Sequence, residues 1–158
     1  NMLKRLLVSS LLLISLFTIS CKNLKDTIEE NIIGIDKTYA GIWNVDETPN
    51  VSDVNFLGSY IIIKEDGSMD FYFGKVNKTF NFSSGQILKV KNGYIAVYNE
   101  MDYNNSNITS KEHLLDMTFE DINNNDIISS SIANITYTVE ENNNVDTAIK
   151  GVFIKQAE

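Results

Sequence analysis

Residues 69–73 read Met-Asp-Phe-Tyr-Phe, and this stretch decides the class of fold that we expect. Its first, third and fifth residues are large and apolar, whereas Asp70 and Tyr72 between them carry polar groups. Successive side chains of a β-strand point to opposite faces, so this alternation predicts a strand that buries one face. Turn-forming residues stand on both sides, at 66–68 and at 74–77. The stretch therefore predicts one strand of a sheet, with a tight turn at each end.

The same alternation continues along the chain from Tyr39 onward, as in Phe80 and Phe82. Turn-forming residues separate most of the alternating segments. Asn92-Gly93 is the strongest hairpin signal, because both residue types tolerate the positive φ of a type I′ turn. The predicted strands are 40–46, 58–65, 69–74, 78–84, 86–91, 94–99, 113–120, 127–140 and 147–155.

The connections between most predicted strands are short, and no helical period lies between them. Parallel strands need a crossover of a dozen or more residues, so short connections favour an antiparallel up-and-down meander. Eight or nine such strands must protect their edges, either by closing into a barrel or by pairing as two sheets. We therefore predict an all-β domain over residues 39–158. We favour a barrel over the alternative, a β-sandwich.

Two predicted connections are longer than the rest. Residues 46–57 include Pro49, the only proline, and residues 99–112 are rich in asparagine. Long loops on a rigid β-scaffold are common places for binding residues, and tolerated surface insertions are an equally good interpretation. Both interpretations stay open for these two loops.

The start of the chain has the pattern of an export signal. Two basic residues, Lys4 and Arg5, precede fifteen uncharged residues, 6–20, and then the only cysteine, Cys21. As a helix, fifteen residues rise to only about 22 Å, short of the roughly 30 Å of a membrane's hydrocarbon core. We therefore predict a signal peptide over residues 1–20 rather than a membrane-spanning helix.

Residues 18–21, Thr-Ile-Ser-Cys, resemble the lipobox of bacterial lipoproteins, although Thr18 stands where leucine is usual. The resemblance implies that the thiol of Cys21 is lipidated and that Cys21 becomes the new N-terminus. The alternative is an ordinary cleaved signal with an incidental cysteine. Two or three acyl chains would hold the protein stably on a membrane. We therefore expect a lipid-anchored protein of the bacterial cell envelope, on the periplasmic face or at the outer surface.

Residues 21–38 form the predicted lipidated N-terminus and a polar tether. Asp26 and Glu29 have the spacing of a capping box, and isoleucines follow at helical intervals up to Gly34, which would end a helix. A short helix and a flexible spacer are both open for this segment.

The predicted mature body is acidic. All 21 Asp and Glu residues lie in it, against 11 of the 13 Lys and Arg residues, for a net charge of −10. Nucleic acid and anionic lipid headgroups are bound by basic patches, so we expect the body to bind neither. The charge indicates plain solubility or, alternatively, a basic protein partner. With Cys21 lipidated, no disulfide can brace the body, so an apolar core must stabilise it.

The first predicted strand contains the only tryptophan, in Gly41-Ile42-Trp43. This G-x-W motif resembles that of the lipocalins and, more closely, of lipocalin-like domains in bacterial lipoproteins, over roughly residues 39–155. The resemblance implies a calycin-like barrel whose cup holds a small apolar ligand. Gly41 and Trp43 would then be structural residues rather than binding residues.

The resemblance also implies an arginine near the last strand that packs against this tryptophan. The only arginine here is Arg5, in the predicted signal. Lys150 or Lys155 is the candidate substitute, because a lysine over an indole face gains about 0.5–1 kcal/mol at an exposed site.

The sequence contains no constellation that supports catalysis. His113, the only histidine, is predicted at the surface edge of a strand, and the body holds no cysteine nucleophile, G-x-S-x-G turn or phosphate-binding glycine loop. Residues 121–126 carry oxygens spaced as in a calcium loop, but Asp126 replaces the usual glycine and Ile132 the final glutamate. We predict no enzyme activity, no cofactor and no metal site.

Two functions follow as expectations. The first is a lipid-anchored, non-catalytic lipocalin-like domain that binds a small apolar ligand. The alternative is an interaction or structural surface lipoprotein that binds a protein partner, for example a basic host enzyme. A cavity above about 300 Å³ with one or two polar groups favours the first. An interior filled by phenylalanine side chains favours the second.

Overall fold

The computed structural model describes the backbone of residues 28–104, 107–121, 131–141 and 144–157. The chain divides into two compact units, residues 1–31 and residues 32–158. Strand β1 (Ile28–Ile33) belongs largely to the first unit, and a 3-10 turn, Lys37–Tyr39, follows it in the second. None of the helices in the described ranges is long and apolar enough to cross a membrane.

Nine antiparallel strands make up the described part of the second unit. Three further 3-10 turns, each of three residues, lie between them. The strands are β2 (Gly41–Val45), β3 (Tyr60–Ile63), β4 (Met69–Phe73), β5 (Lys78–Phe82), β6 (Ile87–Val90), β7 (Gly93–Asn104), β8 (Asn107–Asp121), β9 (Ser131–Glu141) and β10 (Asn144–Lys155).

The nine strands form one sheet that turns back on itself. Their order is β6-β7-β8-β9-β10-β2-β3-β4-β5, so strands that follow one another in sequence are paired, except β5 and β6, and the last strand, β10, pairs with the first, β2. In that closing pair, Phe153 lies opposite Val45 and Lys155 opposite Trp43. The all-β class and the antiparallel meander are confirmed. The sheet is a nearly closed barrel rather than a sandwich.

A seam between β5 and β7 interrupts the ladder, and side chains fill it. The ring of Tyr98 lies edge-on to Phe80 and Phe82, with centroids 5.6 and 6.0 Å apart. At the end of the seam, Lys78 Nζ lies 2.6 Å from a carboxylate oxygen of Glu100. Aromatic pairs in these orientations are each worth about 0.5–1.5 kcal/mol beyond their buried area, so the seam is held without backbone hydrogen bonds.

The core consists of the inward-facing residues, because alternate side chains of every strand point into the barrel. Residues Met69, Phe71 and Phe73 of the opening stretch are all buried, whereas Asp70 and Tyr72 are partly exposed. All nine strands contribute to a single apolar cluster. Its largest fully buried side chains are Trp43, Phe56, Phe71, Phe80, Phe82, Phe153, Ile61, Met69, Ile87, Leu115 and Met117.

The predicted hairpin at Asn92-Gly93 is present, but its turn differs from the prediction. Val90 pairs with Gly93, so the two-residue loop is Lys91-Asn92, and Gly93 is the first residue of β7. Gly93 alone of this pair has positive φ, at 154°. A Cβ there would lie 1.9 Å from the Met117 carbonyl oxygen. The glycine therefore allows β7 to approach β8, and the predicted type I′ turn is wrong.

Two other local predictions are corrected. Residues 99–112 are not a loop: β7 and β8 extend through most of this range as a long hairpin, with Asn104 opposite Asn107. Residues Ile28–Ile33 are a strand, so the helical alternative for the tether is wrong there. Short isolated helices are marginal in water, and β-branched isoleucines suit a strand. The start of the strand predicted at 127–140 lies outside the described residues.

Candidate functional site

The G-x-W motif lies at one end of the barrel and has a packing role. Trp43 is fully buried, and its indole N–H donates to the Tyr39 carbonyl oxygen at 2.9 Å. Lys155 Nζ lies 5.9 Å from the centroid of the Trp43 ring. The Phe119 ring lies edge-on to the indole, with the ring centroids 5.2 Å apart. Lys155, one of the two candidate lysines, therefore occupies the place at which the lipocalin resemblance implies an arginine.

The long loop after β2 fills the barrel interior rather than framing an opening. Its 3-10 turn, Val54–Phe56, is capped at its N-terminus by Asp53, whose side chain accepts a hydrogen bond from the Asn55 N–H at 2.8 Å. Phe56 is fully buried, and its ring lies edge-on to Phe153 at 5.4 Å. It also contacts the rings of Phe71 and Phe73. The loop therefore supplies an aromatic side chain to the core.

Gly151 makes room for this aromatic side chain. A Cβ at Gly151 would lie 2.6 Å from Cδ2 of Phe56, which is too close for two carbon atoms that are not bonded to each other. Both residues are buried, and β10 is therefore shaped to receive the loop. Of the two functions expected from the sequence, this filled interior favours the one in which a partner meets the outside of the barrel.

Four hydrogen-bonded polar side chains connect the core with the end of the seam between β5 and β7. The Tyr137 hydroxyl lies 2.8 Å from His113 Nδ1, and His113 Nε2 lies 3.0 Å from Glu100 Oε2. The other Glu100 oxygen accepts from Lys78 Nζ. A carboxylate only accepts, so Nε2 carries the imidazole hydrogen, and Nδ1 accepts from the Tyr137 hydroxyl. Both ring nitrogens of His113 therefore have a hydrogen-bond partner within the protein.

The electrostatics agree with a neutral imidazole. Burial lowers the pKa of His113, although the hydrogen bond that its Nε2–H donates to Glu100 opposes this shift. Hydrogen bonds from Lys78 and His113 lower the pKa of Glu100, which stays ionised. Burial raises the pKa of Tyr137, so its hydroxyl keeps its proton. The prediction that His113 lies at the surface edge is wrong: it is 5% exposed in the middle of β8.

We expect the stability of the protein to fall as the pH drops below about 6.5, the ordinary pKa of histidine. His113 has a lowered pKa in the folded state, so the unfolded chain binds the proton more readily, and stability is present above pH 6.5 and lost below it. One proton gives a slope of at most about 1.4 kcal/mol per pH unit. Urea unfolding between pH 5.5 and 7.5 measures it.

The control for this pH dependence is His113→Gln, which cannot titrate. His113 is the only histidine. Among the described residues, every acidic group with a shifted pKa has that pKa lowered from 3.8 or 4.5, so these groups change charge in a more acidic range. Equal slopes in wild type and His113→Gln would contradict the assignment.

The outward face of four adjacent strands carries several apolar and aromatic side chains. In β10, β2, β3 and β4 one cross-strand row consists of Ile154, Asn44, Tyr60 and Tyr72. The rings of Tyr60 and Tyr72 stack with their centroids 4.9 Å apart. The neighbouring row adds two isoleucines of β2 and β3 and ends at Asp70 in β4. We call the set of five apolar or aromatic residues the outer apolar face: Ile42, Tyr60, Ile62, Tyr72 and Ile154.

A groove of about 410 Å³ borders this face at Tyr60 and Ile154 and has an acidic rim. Asn44, Tyr60 and Ile154 line it together with the carboxylates of Asp46 and Glu47. Asp46 Oδ1 accepts from the Thr48 N–H at 2.9 Å, and Glu47 Oε1 accepts from the Gly58 N–H at 3.0 Å. These bonds hold both carboxylates in place beside the apolar surface.

Neither the outer apolar face nor the hydrogen-bonded chain at His113 was predicted from the sequence. The outer apolar face had a visible signal, since the strand predicted at 58–65 contains Tyr60 and Ile62 on its second side, where charged residues are usual. The pairing of His113 with Tyr137 had none, because the two residues are 24 positions apart and meet only through the register of β8 and β9.

Other residues singled out from the sequence lie beyond what the structure describes. Cys21 and its lipobox precede the first described residue, and most of the calcium-like segment 121–126 falls in a gap. Within the described ranges, no group of three or more His, Cys, Asp or Glu side chains is placed to hold a metal ion.

Comparisons with known protein families, curated proteins and solved structures found no match. No protein-family model matches the chain, and no curated protein or solved structure is significantly similar to it. The class of protein is therefore defined by the fold alone. The nearly closed antiparallel meander with a buried aromatic cluster is consistent with a calycin-like barrel.

Proposed function

We propose that the protein is a membrane-anchored lipoprotein of the bacterial cell envelope whose barrel is a non-catalytic interaction module for a protein partner. The filled interior is the observation that carries this proposal. Phe56, Phe71, Phe80 and Phe82 are at most 2% exposed and lie in one cluster with inward residues of all nine strands. With the centre of the barrel occupied by side chains, its outer surface and loops are what a partner meets.

The anchor in this proposal is Cys21, held on the membrane by its acyl chains. Two basic residues, fifteen uncharged residues and a cysteine after Thr-Ile-Ser support it. The acidic body then supports a domain held off an anionic membrane, on the periplasmic face or at the outer surface, because like charges repel it from the headgroups.

Cys21→Ala is expected to abolish membrane association and leave the protein in the soluble fraction after cell lysis. Without the thiol no acyl chain can be attached, and fifteen uncharged residues are too short to span the bilayer. Cell fractionation measures the distribution, and mass spectrometry of the mature N-terminus measures the acyl mass. Ser9→Ala, within the uncharged segment, is the matched control and keeps the membrane location. A wild-type N-terminus without added lipid would contradict the anchor.

A small apolar ligand inside the barrel is the second candidate function. One observation favours it: Phe56 reaches the core from a loop, with Val54 and Leu57 exposed on either side of it. A swing of this loop would release the space of one aromatic ring. Titration with the apolar fluorophore 1-anilinonaphthalene-8-sulfonate tests the idea. Saturable one-to-one binding by the folded wild type, competed by an aliphatic alcohol, would favour it over the interaction module.

A further inference from the structure

We infer that the outer apolar face binds a basic protein partner, with an arginine side chain of that partner held between Tyr60 and the carboxylates of Asp46 and Glu47. This inference rests on the proposed interaction function and names its surface and the chemistry of its partner. It follows from the charge of the groove, from the fixed carboxylates and from the extent of the face.

The charge of this groove differs from that of two other grooves on the described surface. The groove on the outer apolar face has two carboxylates and no basic residue in its lining. A groove of about 360 Å³ is lined by Asp36 with Lys89 and Lys91. A third, of about 340 Å³, contains one acid and one lysine. Charge complementarity therefore selects a cationic occupant for the first groove and for neither of the others.

Hydrogen bonds from the backbone hold both carboxylates in position. Hydrogen bonds from the side chain and backbone of Thr48 lower the pKa of Asp46, so it is ionised at neutral pH. Glu47 is fixed by the Gly58 N–H. None of the ion pairs among described residues involves either carboxylate. Lys64, directly after β3, is paired with Asp70 at 2.9 Å. A partner cation thus meets acceptors without displacing a lysine of this chain.

The tyrosine ring in the lining of the groove favours arginine over lysine as the occupant. Tyr60 lines the groove, and its ring is supported by the stacked ring of Tyr72. A guanidinium group is planar, less strongly hydrated than an ammonium group, and able to stack on an aromatic face while it donates to carboxylates at its edge. An ammonium group offers only a point charge to the same residues.

The extent of the face indicates a protein rather than a small cation. The apolar residues run across four strands, and neighbouring strands are about 4.8 Å apart, so the face is about 14 Å wide. Ile42 on this face is 48% exposed. One arginine side chain would cover the acidic rim and leave the isoleucines in water. A partner segment with apolar residues beside the arginine covers both.

The test uses the full-length protein in a mild non-ionic detergent and three ten-residue peptides that share one leucine-containing sequence. Two central positions carry arginine, lysine or glutamate. Isothermal titration calorimetry measures affinity, and amide chemical-shift changes map the contact. We expect the arginine peptide to bind and to shift β2, β3, β4 and β10. The lysine peptide binds about threefold more weakly, the glutamate peptide does not bind, and added salt weakens binding.

The double variant Asp46→Asn with Glu47→Gln removes both charges while keeping the acceptor oxygens that fix Thr48 and Gly58. We expect it to weaken the arginine peptide by about tenfold, as two exposed ion pairs would. Asp116→Asn, in the third groove, is the matched control and leaves the affinity unchanged. Tyr60→Leu keeps an apolar floor and abolishes the preference for arginine over lysine.

Several results would overturn the inference. Equal binding of the arginine and glutamate peptides, or no peptide binding at millimolar concentration, would contradict it. Amide chemical-shift changes confined to other strands would also contradict it. So would an undiminished affinity for the arginine peptide in the double variant, provided that its unfolding midpoint is unchanged. These results do not bear on the lipid anchor, which is tested separately by the distribution of Cys21→Ala between cell fractions. Failure of the inference is also distinct from failure of the interaction function, since saturable fluorophore binding inside the barrel would replace that function.

Discussion

Phe56→Ala is expected to destabilise the protein by about 3–5 kcal/mol, the range measured for deletion of a buried aromatic side chain. The ring is fully buried and lies edge-on to three phenylalanines, with centroids 5.4–6.3 Å away. Its removal loses the burial free energy and leaves a cavity beside Gly151, which offers no side chain to collapse into it. Urea unfolding followed by tryptophan fluorescence measures the change.

Val54→Ala is the matched control for this variant. Val54 lies in the same 3-10 turn but is 74% exposed, so its truncation should change stability by no more than about 0.5 kcal/mol. Similar losses in the two variants would show that the loop does not deliver Phe56 to the core.

The cavity left by Phe56→Ala gives a second measurement. An apolar cavity of this kind stays dry and binds benzene. We therefore expect benzene to raise the unfolding midpoint of Phe56→Ala and to leave that of wild type unchanged. Stabilisation of the wild type by benzene would instead indicate that an apolar site already exists, and it would strengthen the small-ligand candidate.

Gly93→Ala is the second variant with a large expected effect. The new Cβ would lie 1.9 Å from the Met117 carbonyl oxygen, which belongs to the backbone of β8 and cannot rotate away. The φ of 154° adds strain for a residue with a side chain. Backbone strain of this kind costs of order 1–3 kcal/mol, and the displacement of β7 from β8 adds to it. Urea unfolding, with circular dichroism to check the β content, measures the loss.

Gly85→Ala separates steric conflict from a general effect of removing glycine. The nearest atom to a Cβ at Gly85 is Ser83 Oγ at 4.0 Å, and its φ is not positive. Alanine restricts the unfolded chain, so this variant should be neutral or more stable by up to about 1 kcal/mol. If Gly93→Ala is as stable as Gly85→Ala, the close approach of β7 to β8 is not as described.

The order of the strands was predictable because it depends on local patterns. The alternation in Met69–Phe73 and the turn residues on both sides define a strand with one buried face, and each expected strand after Tyr39 has its counterpart. The short connections between these strands do not allow parallel crossovers, so they predict an antiparallel meander. The mistakes fell where the local signal was ambiguous: the asparagine-rich residues 99–112 continue β7 and β8 as a hairpin.

Residue environments that depend on distant parts of the chain were not predictable. His113 directly follows two charged residues in sequence, yet it is only 5% exposed, because Phe80 and Tyr137 cover its ring. The burial of Phe56 likewise depends on Gly151, 95 positions away. Nothing within a window of ten residues carries either contact.

By itself, the sequence determined the all-β class, the succession of strands, the signal-like start ending in Cys21, and the acidity of the body. Each of these depends on a side-chain period of two, on turn residues or on composition, which are local or additive properties. The tertiary structure alone decided that Phe56 fills the barrel, that His113 is buried beside Tyr137, and that the outward residues of four strands form one face. These features depend on which strands become neighbours and in which register. Loop closure and packing over the whole chain set that arrangement, and no short segment encodes it.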